Sequence, residues 1–502
     1  MFQRALCFLM GLMLLLLPAL SLAEQESFSM AGFDGEGSSH DWTTNQFFTR
    51  MQERTGISFT FQQYTSQQKW RAAKDEMFQT GELPDVLFKA ALTTEELISY
   101  TESGQLIDLM PLLAENAPNL WALLTSHPDW LEAITLPSGK IGALPAIQPT
   151  PPQNALWINK AWLDKLGLAV PTDFTSLREV LTAFLTRDPN GNGKRDEIPL
   201  TFLGPWELKF FSHAYGVVAN DYNIYLDDGG AVRYWPDEDS FFLLAETLRD
   251  LYADRLLDQN GFQTADALRR VTDEKAALCY GAFFAPTPLN LVTLSQAEDY
   301  VIVEPFAYEG RQVYRDLIGP VTRGTFAITS ACSDPAALLR WVDILYTEEG
   351  AAEAMLGKEG ESYVVDEDGY WQWKGGLESV TVSMLNELTL YDTGEMPWLF
   401  PQAFYARYAE ESDRRINAEL ARLKPFIKQP FPTYTLTNEQ SAQAIAMQNE
   451  LGAYVDESFA RFVLGQTPLN QETIVGFRAG LRQRGMDEMI ALWQSVADER
   501  DR

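Results

Sequence analysis

The chain has 502 residues, 46% hydrophobic and 12% aromatic, with 39 basic against 70 acidic side chains and a formal net charge of −31. Such an excess of negative charge opposes any anionic polymer, which excludes nucleic acid as a partner. At ~150 residues per domain, the length fits two large domains or three smaller ones with a substantial core.

Residues Met1 to Ala23 place Arg4 before a Leu/Met-rich run that ends in Ser21-Leu22-Ala23, the small-x-small pattern of a cleaved export signal. The mature chain is expected to start at Glu24. Cys7 precedes the apolar run, so no cysteine stands at the cleavage point to carry a lipid. No later segment approaches the ~20 apolar residues of a spanning helix. Export permits a disulfide between Cys279 and Cys332, and two buried thiols fit equally well.

Beyond the signal, strand-like and helical patterns alternate. After the Thr55-Gly56 turn, Ile57, Phe59 and Phe61 alternate in a strand over 57–62. A helix is predicted over 66–78, then a short apolar strand at Asp85-Val86-Leu87-Phe88. This order predicts an α/β fold with a largely parallel sheet and ligands at the carboxyl ends of its strands. Gln148-Pro149-Thr150-Pro151-Pro152-Gln153 is a stiff polar segment between two compact regions, and a helix follows over about 160–166.

Leu177, Val180, Leu181, Phe184 and Leu185 recur at helical spacing behind a Ser176-x-x-Glu179 capping box. The helix leads into Asp188-Pro-Asn-Gly-Asn-Gly-Lys-Arg-Asp-Glu197, where oxygen ligands are spaced as in a calcium loop. Side chains of Asp188, Asn190, Asn192 and Asp196 take positions 1, 3, 5 and 9, the Lys194 carbonyl takes 7, and Gly193 makes the turn at 6. Position 12, normally a bidentate glutamate, is Pro199, so Glu197 is expected to close the shell. Ile198 to Leu203 then has the character of a buried strand. Helical spacing returns in 400–422, 438–450 and 486–497, which suggests the outer layer of one lobe.

Several aromatic residues lie outside periodic helices, where flat rings can stack on the apolar face of a sugar. Those proposed for a pocket are Trp157, Trp206, Phe283, Phe284, Trp371 and Trp373, with Asp34 and Lys89 as polar partners at strand ends. His40, His127 and His213 are far apart in the chain and are taken as ordinary polar positions, and no common catalytic signature occurs.

Taken with Glu53-Arg54-Thr55-Gly56-Ile57, Gly81-Glu82-Leu83-Pro84-Asp85-Val86-Leu87-Phe88, Leu106-Ile107-Asp108-Leu109 and the run from Trp157 to Leu168, the 188–197 loop makes the chain resemble a family of receptors. These are the extracellular solute-binding proteins of carbohydrate ABC transporters, of the alginate-oligosaccharide and lipoprotein-receptor kind. The resemblance implies two α/β lobes in a type II periplasmic-binding-protein-like fold that close by hinge motion. By chain order, residues 24–148 with about 277–322 would form the first lobe, and about 149–276 with 323–502 the second, carrying a structural calcium. It also implies a monomer that captures a sugar or oligosaccharide and delivers it to a membrane permease. A receptor for peptides on the same fold and a secreted carbohydrate-active enzyme, which needs only two carboxylates, remain open at this point.

Overall fold

Gly56, with φ of 76°, ends the helix Gln46–Thr55 and turns the chain into the strand Ile57–Tyr64. In the computed structural model, which describes residues 26–149, 153–263, 279–316, 319–367, 370–376, 379–390, 395–400, 411–431 and 436–500, this strand is the edge of a five-stranded sheet. The expected export signal and Thr150-Pro151-Pro152 lie outside the described residues. The sheet order is Ile57–Tyr64, Glu26–Phe33, Val86–Phe88, Val321–Ile328, Leu144–Ile147. The first three strands are parallel, and Val321–Ile328 runs antiparallel to both of its neighbours. Val86, Leu87 and Phe88 are all fully buried, as a short apolar run at the centre of a covered sheet should be. A side chain at Gly32 would come within 1.7 Å of the Phe88 carbonyl, so only glycine allows this strand its position.

The second sheet is antiparallel, with order Ala282–Ala285, Ala155–Asn159, Tyr300–Ile302. Ile198 and Thr201 extend it by isolated parallel bridges to Tyr280 and Phe283, without forming a regular strand. One core gathers Phe48, Phe88, Leu144, Phe326 and Trp341 around the first sheet. Another gathers Trp157, Phe184, Phe241 and Phe284 around the second. The helices Asn438–Val463, Gln471–Gln483 and Met486–Arg500 close over this second core, as their apolar spacing suggests.

Four expectations need correction. The segment expected to return to the first lobe, 277–322, instead supplies Ala282–Ala285 and Tyr300–Ile302 to the second sheet. Conversely, Val321–Ile328 and the residues from Pro335 to Phe400 belong with the first core, although 323–502 is expected in the second lobe. A local apolar run fixes a strand but not which sheet receives it, because pairing is decided by distant partners. Among the described residues the parallel character expected of the sheets holds for three strands of the first and for the short pair Tyr314–Arg315 with Ile427–Lys428. The cap of the helix Phe174–Thr186 is Asp173, whose carboxylate accepts from Ser176 N at 2.7 Å; Ser176 is the reciprocal partner one turn in.

The chain passes between the two sheets near Gln148 and Gln153 and again near Asp316 and Pro320. These passages run side by side: Gln148 N donates to Pro320 O at 2.8 Å and Gln153 Nε2 to Asp316 Oδ1 at 2.9 Å.

Candidate ligand site and cation loop

Parallel strands direct their carboxyl ends to one edge, and in the first sheet that edge also holds the start of Val321–Ile328 and the end of Leu144–Ile147, where the chain crosses. Asp34 follows the first strand and Lys89 the third. Both are fully buried, with Lys89 Nζ 2.8 Å from Asp34 Oδ1. His40 Nδ1 lies 2.8 Å from the other carboxylate oxygen, and Ser38 Oγ and Gln63 Nε2 also donate to it. Burial alone would raise the Asp34 carboxyl, but the bond from His40 and the charge and bond of Lys89 hold it well below the usual carboxylate range. Lys89 and Ala91 both have positive φ, 52° and 47°, which shapes the loop after the central strand. The expected polar pair thus meets, but as a buried frame for the loops at the strand ends. His40, given no role from sequence, completes it; the cluster of Asp34, Ser38 and His40 just past a strand was the available signal.

In the second sheet the same kind of edge is formed by Asn154, Ala285, Thr201 and Val303, and it too faces the crossing passages. Trp206 follows on the helix Gly204–Leu208 and is 42% exposed, the most open of the proposed rings. Of the others, four are buried and Trp373 is half-buried. Trp157, Phe283 and Phe284 lie on adjoining strands with no accessible surface, and Trp157 Nε1 donates to Ala285 O within the sheet. Their strand is apolar because it is covered on both faces. Trp371 is buried in the short hairpin with Tyr363–Val365, its ring 5.3 Å from that of Trp373, and both pack on the first core. Of the other histidines, His213 is buried in the second core and pushed down to about 4 by that burial, and His127 stacks on Trp130.

The 188–197 loop folds on itself. Asp188 has φ of 46°, and its two carboxylate oxygens accept from Asn192 N and Gly193 N at 3.2 and 3.0 Å. Asn190 Nδ2 and Asn192 Nδ2 donate to Asp196 at 3.0 Å, and Lys194 N donates to Asn192 Oδ1. Glu197 is buried, and its Oε1 has no hydrogen-bond partner. Burial first, then the charges of Asp196 and Asp188, raise its carboxyl above the ordinary value. Among the described residues no three His, Cys, Asp or Glu side chains are grouped closely enough to hold a metal. The amide nitrogens of Asn190 and Asn192 face Asp196 here; a rotation of each amide exchanges nitrogen for oxygen. An orphaned buried carboxylate oxygen beside two further carboxylates, on a loop rich in oxygen donors, fits a hard cation such as calcium. Cys279 and Cys332 are both free thiols.

No protein-family model matches the chain. A curated relative, the fructooligosaccharide ABC transporter substrate-binding protein FusA of Streptococcus pneumoniae serotype 4, is 26% identical over 325 residues, 62% of this chain. The match spans 59% of that relative's length. Three solved structures are similar over nearly the whole chain. FusA in complex with kestose aligns with a TM-score of 0.70 at 21% identity, covering 95% of this chain and 99% of that one. An HMO-binding, ABC-transporter-associated solute-binding protein from Bifidobacterium longum infantis aligns at 0.79 and 20% identity, with coverages of 95% and 99%. The alginate-binding protein AlgQ2, solved without calcium ion, aligns at 0.65 and 19%, with coverages of 94% and 98%. The fold is therefore that of the ABC-transporter solute-binding proteins, periplasmic-binding-protein-like with two sheet-centred lobes. A further FusA structure, of an EF-hand mutant in complex with fructo-nystose, aligns at a TM-score of 0.70 and 21% identity, covering 95% of this chain and 99% of that one.

Proposed function

We propose that the chain is an extracytoplasmic receptor that binds a sugar or oligosaccharide between its two lobes and presents it to an ABC-transporter permease without altering it. One observation carries this reading: the loop-bearing edges of two separate sheets face the same crossing passages, on a fold shared over 95% of the chain with an oligosaccharide-binding transport protein. Ligands of α/β sheets gather at such edges. Closure of one lobe on the other is the signal a permease reads. Asn438 Nδ2, on the second lobe, donates to Ser99 Oγ of the first at 3.0 Å, a contact that closure brings together.

Calcium is proposed as a structural ion held by Asp188, Asn190, Asn192, Asp196 and Glu197 with the Lys194 carbonyl. Bound there, it offsets the mutual repulsion of three carboxylates. Glu197 then gains the partner it lacks, and the loop fixes Ile198, whose N donates to Cys279 O at 2.8 Å and so ties the loop to the second sheet. Export through the signal at 1–23 gives the chain access to solutes outside the membrane. Among the described residues no helix is long and apolar enough to cross a membrane.

The test is a thermal-shift screen of Glu24 to Arg502 against mono-, oligosaccharides and peptides, with each ligand examined afterwards for turnover. Stabilisation by an intact sugar is expected. Stabilisation by peptides alone, or cleavage of the sugar, would replace the proposal with the peptide-receptor or enzyme reading.

A further inference from the structure

The second lobe leaves polar groups unsatisfied at the end of its sheet where the chain crosses. Asn154 is 2% exposed; its carbonyl accepts the Tyr314 hydroxyl at 2.6 Å, but its side-chain Nδ2 has no hydrogen-bond partner. Arg315, next to Tyr314, has a buried Nε without a partner, while its Nη2 reaches the exposed Asp221. The Arg315 guanidinium lies 6.0 Å from the centre of the Phe210 ring, and Trp206 lies 6.2 Å from the same ring on the solvent side. Asp316, which continues the chain, is buried and bonded to Gln153.

We propose that Trp206, Asn154 and Arg315 form the second lobe's sugar subsite, and that it takes a neutral sugar: the ring stacks on Trp206, and its oxygens accept from Asn154 Nδ2 and Arg315 Nε. This rests on the receptor reading above. A buried donor without an acceptor costs free energy, so both donors favour an occupant that presents acceptor oxygens. The exposed Trp206 indole, which packs on the same Phe210 ring as the Arg315 guanidinium, offers an apolar face of the kind a pyranose or furanose C–H face covers. Charge selects among sugars. Asp221 already offsets Arg315 and Asp316 adds a second negative group, so a uronate meets repulsion that a neutral sugar does not.

The test is calorimetric titration of the mature chain with kestose, mannotriose, cellotriose and trigalacturonate, repeated on Trp206→Ala, Asn154→Ala and Arg315→Lys. At least one neutral trisaccharide is expected to bind the wild type, and trigalacturonate is expected to bind more weakly. Trp206→Ala and Asn154→Ala should each weaken the neutral ligand roughly tenfold, as expected for loss of one stacking or hydrogen-bonding partner. Arg315→Lys, which keeps the charge but loses Nε, should also weaken it. Trp206 is exposed, so its variant keeps the experiment decisive if Asn154→Ala does not fold. Binding of a neutral sugar by the wild type with an affinity changed less than twofold in the variants would overturn the subsite alone, and so would preference for trigalacturonate. Binding of no sugar at all would overturn the receptor reading with it.

Discussion

The crossing-side edges of the two sheets solve the problem of buried polarity in opposite ways. In the first, Asp34 is met by Lys89, His40, Ser38 and Gln63, so each buried charge closes on the others. In the second, Asn154 Nδ2 and Arg315 Nε are buried without partners, and the exposed Trp206 packs on the same Phe210 ring as Arg315. The first arrangement pairs its buried charges and holds backbone in place, whereas the second has bonding capacity left for a visitor. The contrast teaches that burial of a charged group is weak grounds for a ligand contact, whereas a buried donor with nothing to bind is a stronger one.

The hardest test of the contrast is Lys89→Met. It strands a buried carboxylate and should lower unfolding free energy by about 3–5 kcal/mol, read from urea denaturation, while sugar affinity of the folded fraction stays within twofold. A large affinity loss at unchanged stability would reverse the assignment of the two clusters. Acid probes the same frame more gently. The folded Asp34 carboxyl titrates below its unfolded value of about 3.9, so its stabilisation is complete above that pH and is lost as pH falls toward the folded value. Asp34→Asn should flatten the slope of stability between pH 5 and 3, with roughly 1 kcal/mol at stake in that interval; an unchanged slope would remove the charge network from the account.

Chelation acts on the other lobe. At calcium ~100-fold above its dissociation constant, the ion adds about 2.7 kcal/mol, so EGTA should lower the melting temperature by a few degrees with little change in intrinsic sugar affinity. Glu197→Gln should abolish that response. Loss of affinity with unchanged melting would mean that the ion belongs to the sugar site. The smallest effect concerns the thiols, one near each core. Burial pushes both Cys279 and Cys332 up to about 11, so both should alkylate slowly at pH 8. Chelation should speed only Cys279, whose carbonyl accepts from Ile198 directly after the loop. Equal acceleration of Cys332 would show that the loop's influence extends beyond its own lobe.

Local features were legible in the sequence because local chemistry decides them. The strand at Ile57, the helix Lys160–Leu166 and the convergence of Asp188, Asn190, Asn192 and Asp196 all follow from short-range periodicity or turn geometry. Exposure was not legible. Trp157, Phe283 and Phe284 carry the same ring chemistry as Trp206, and only the sheet's covering separates the three that are sealed from the one that is open. Asn154 and Arg315 carry no motif at all; what marks them is the absence of a partner, which exists only once the chain is folded.

The strand Val321–Ile328 lies between Val86–Phe88 and Leu144–Ile147, so the sheet begun first along the chain is completed last. All three strands of the second sheet lie between residues 155 and 302 and can associate while the first still lacks its middle. A growing chain therefore carries an open edge, with Phe88 and Leu144 uncovered, until the whole of the other sheet has been synthesised. Such an edge can attract other chains, and closing it requires a long loop to be drawn shut. The first sheet thus stays incomplete until residue 328 emerges, and its open edge depends until then on protection from neighbouring chains.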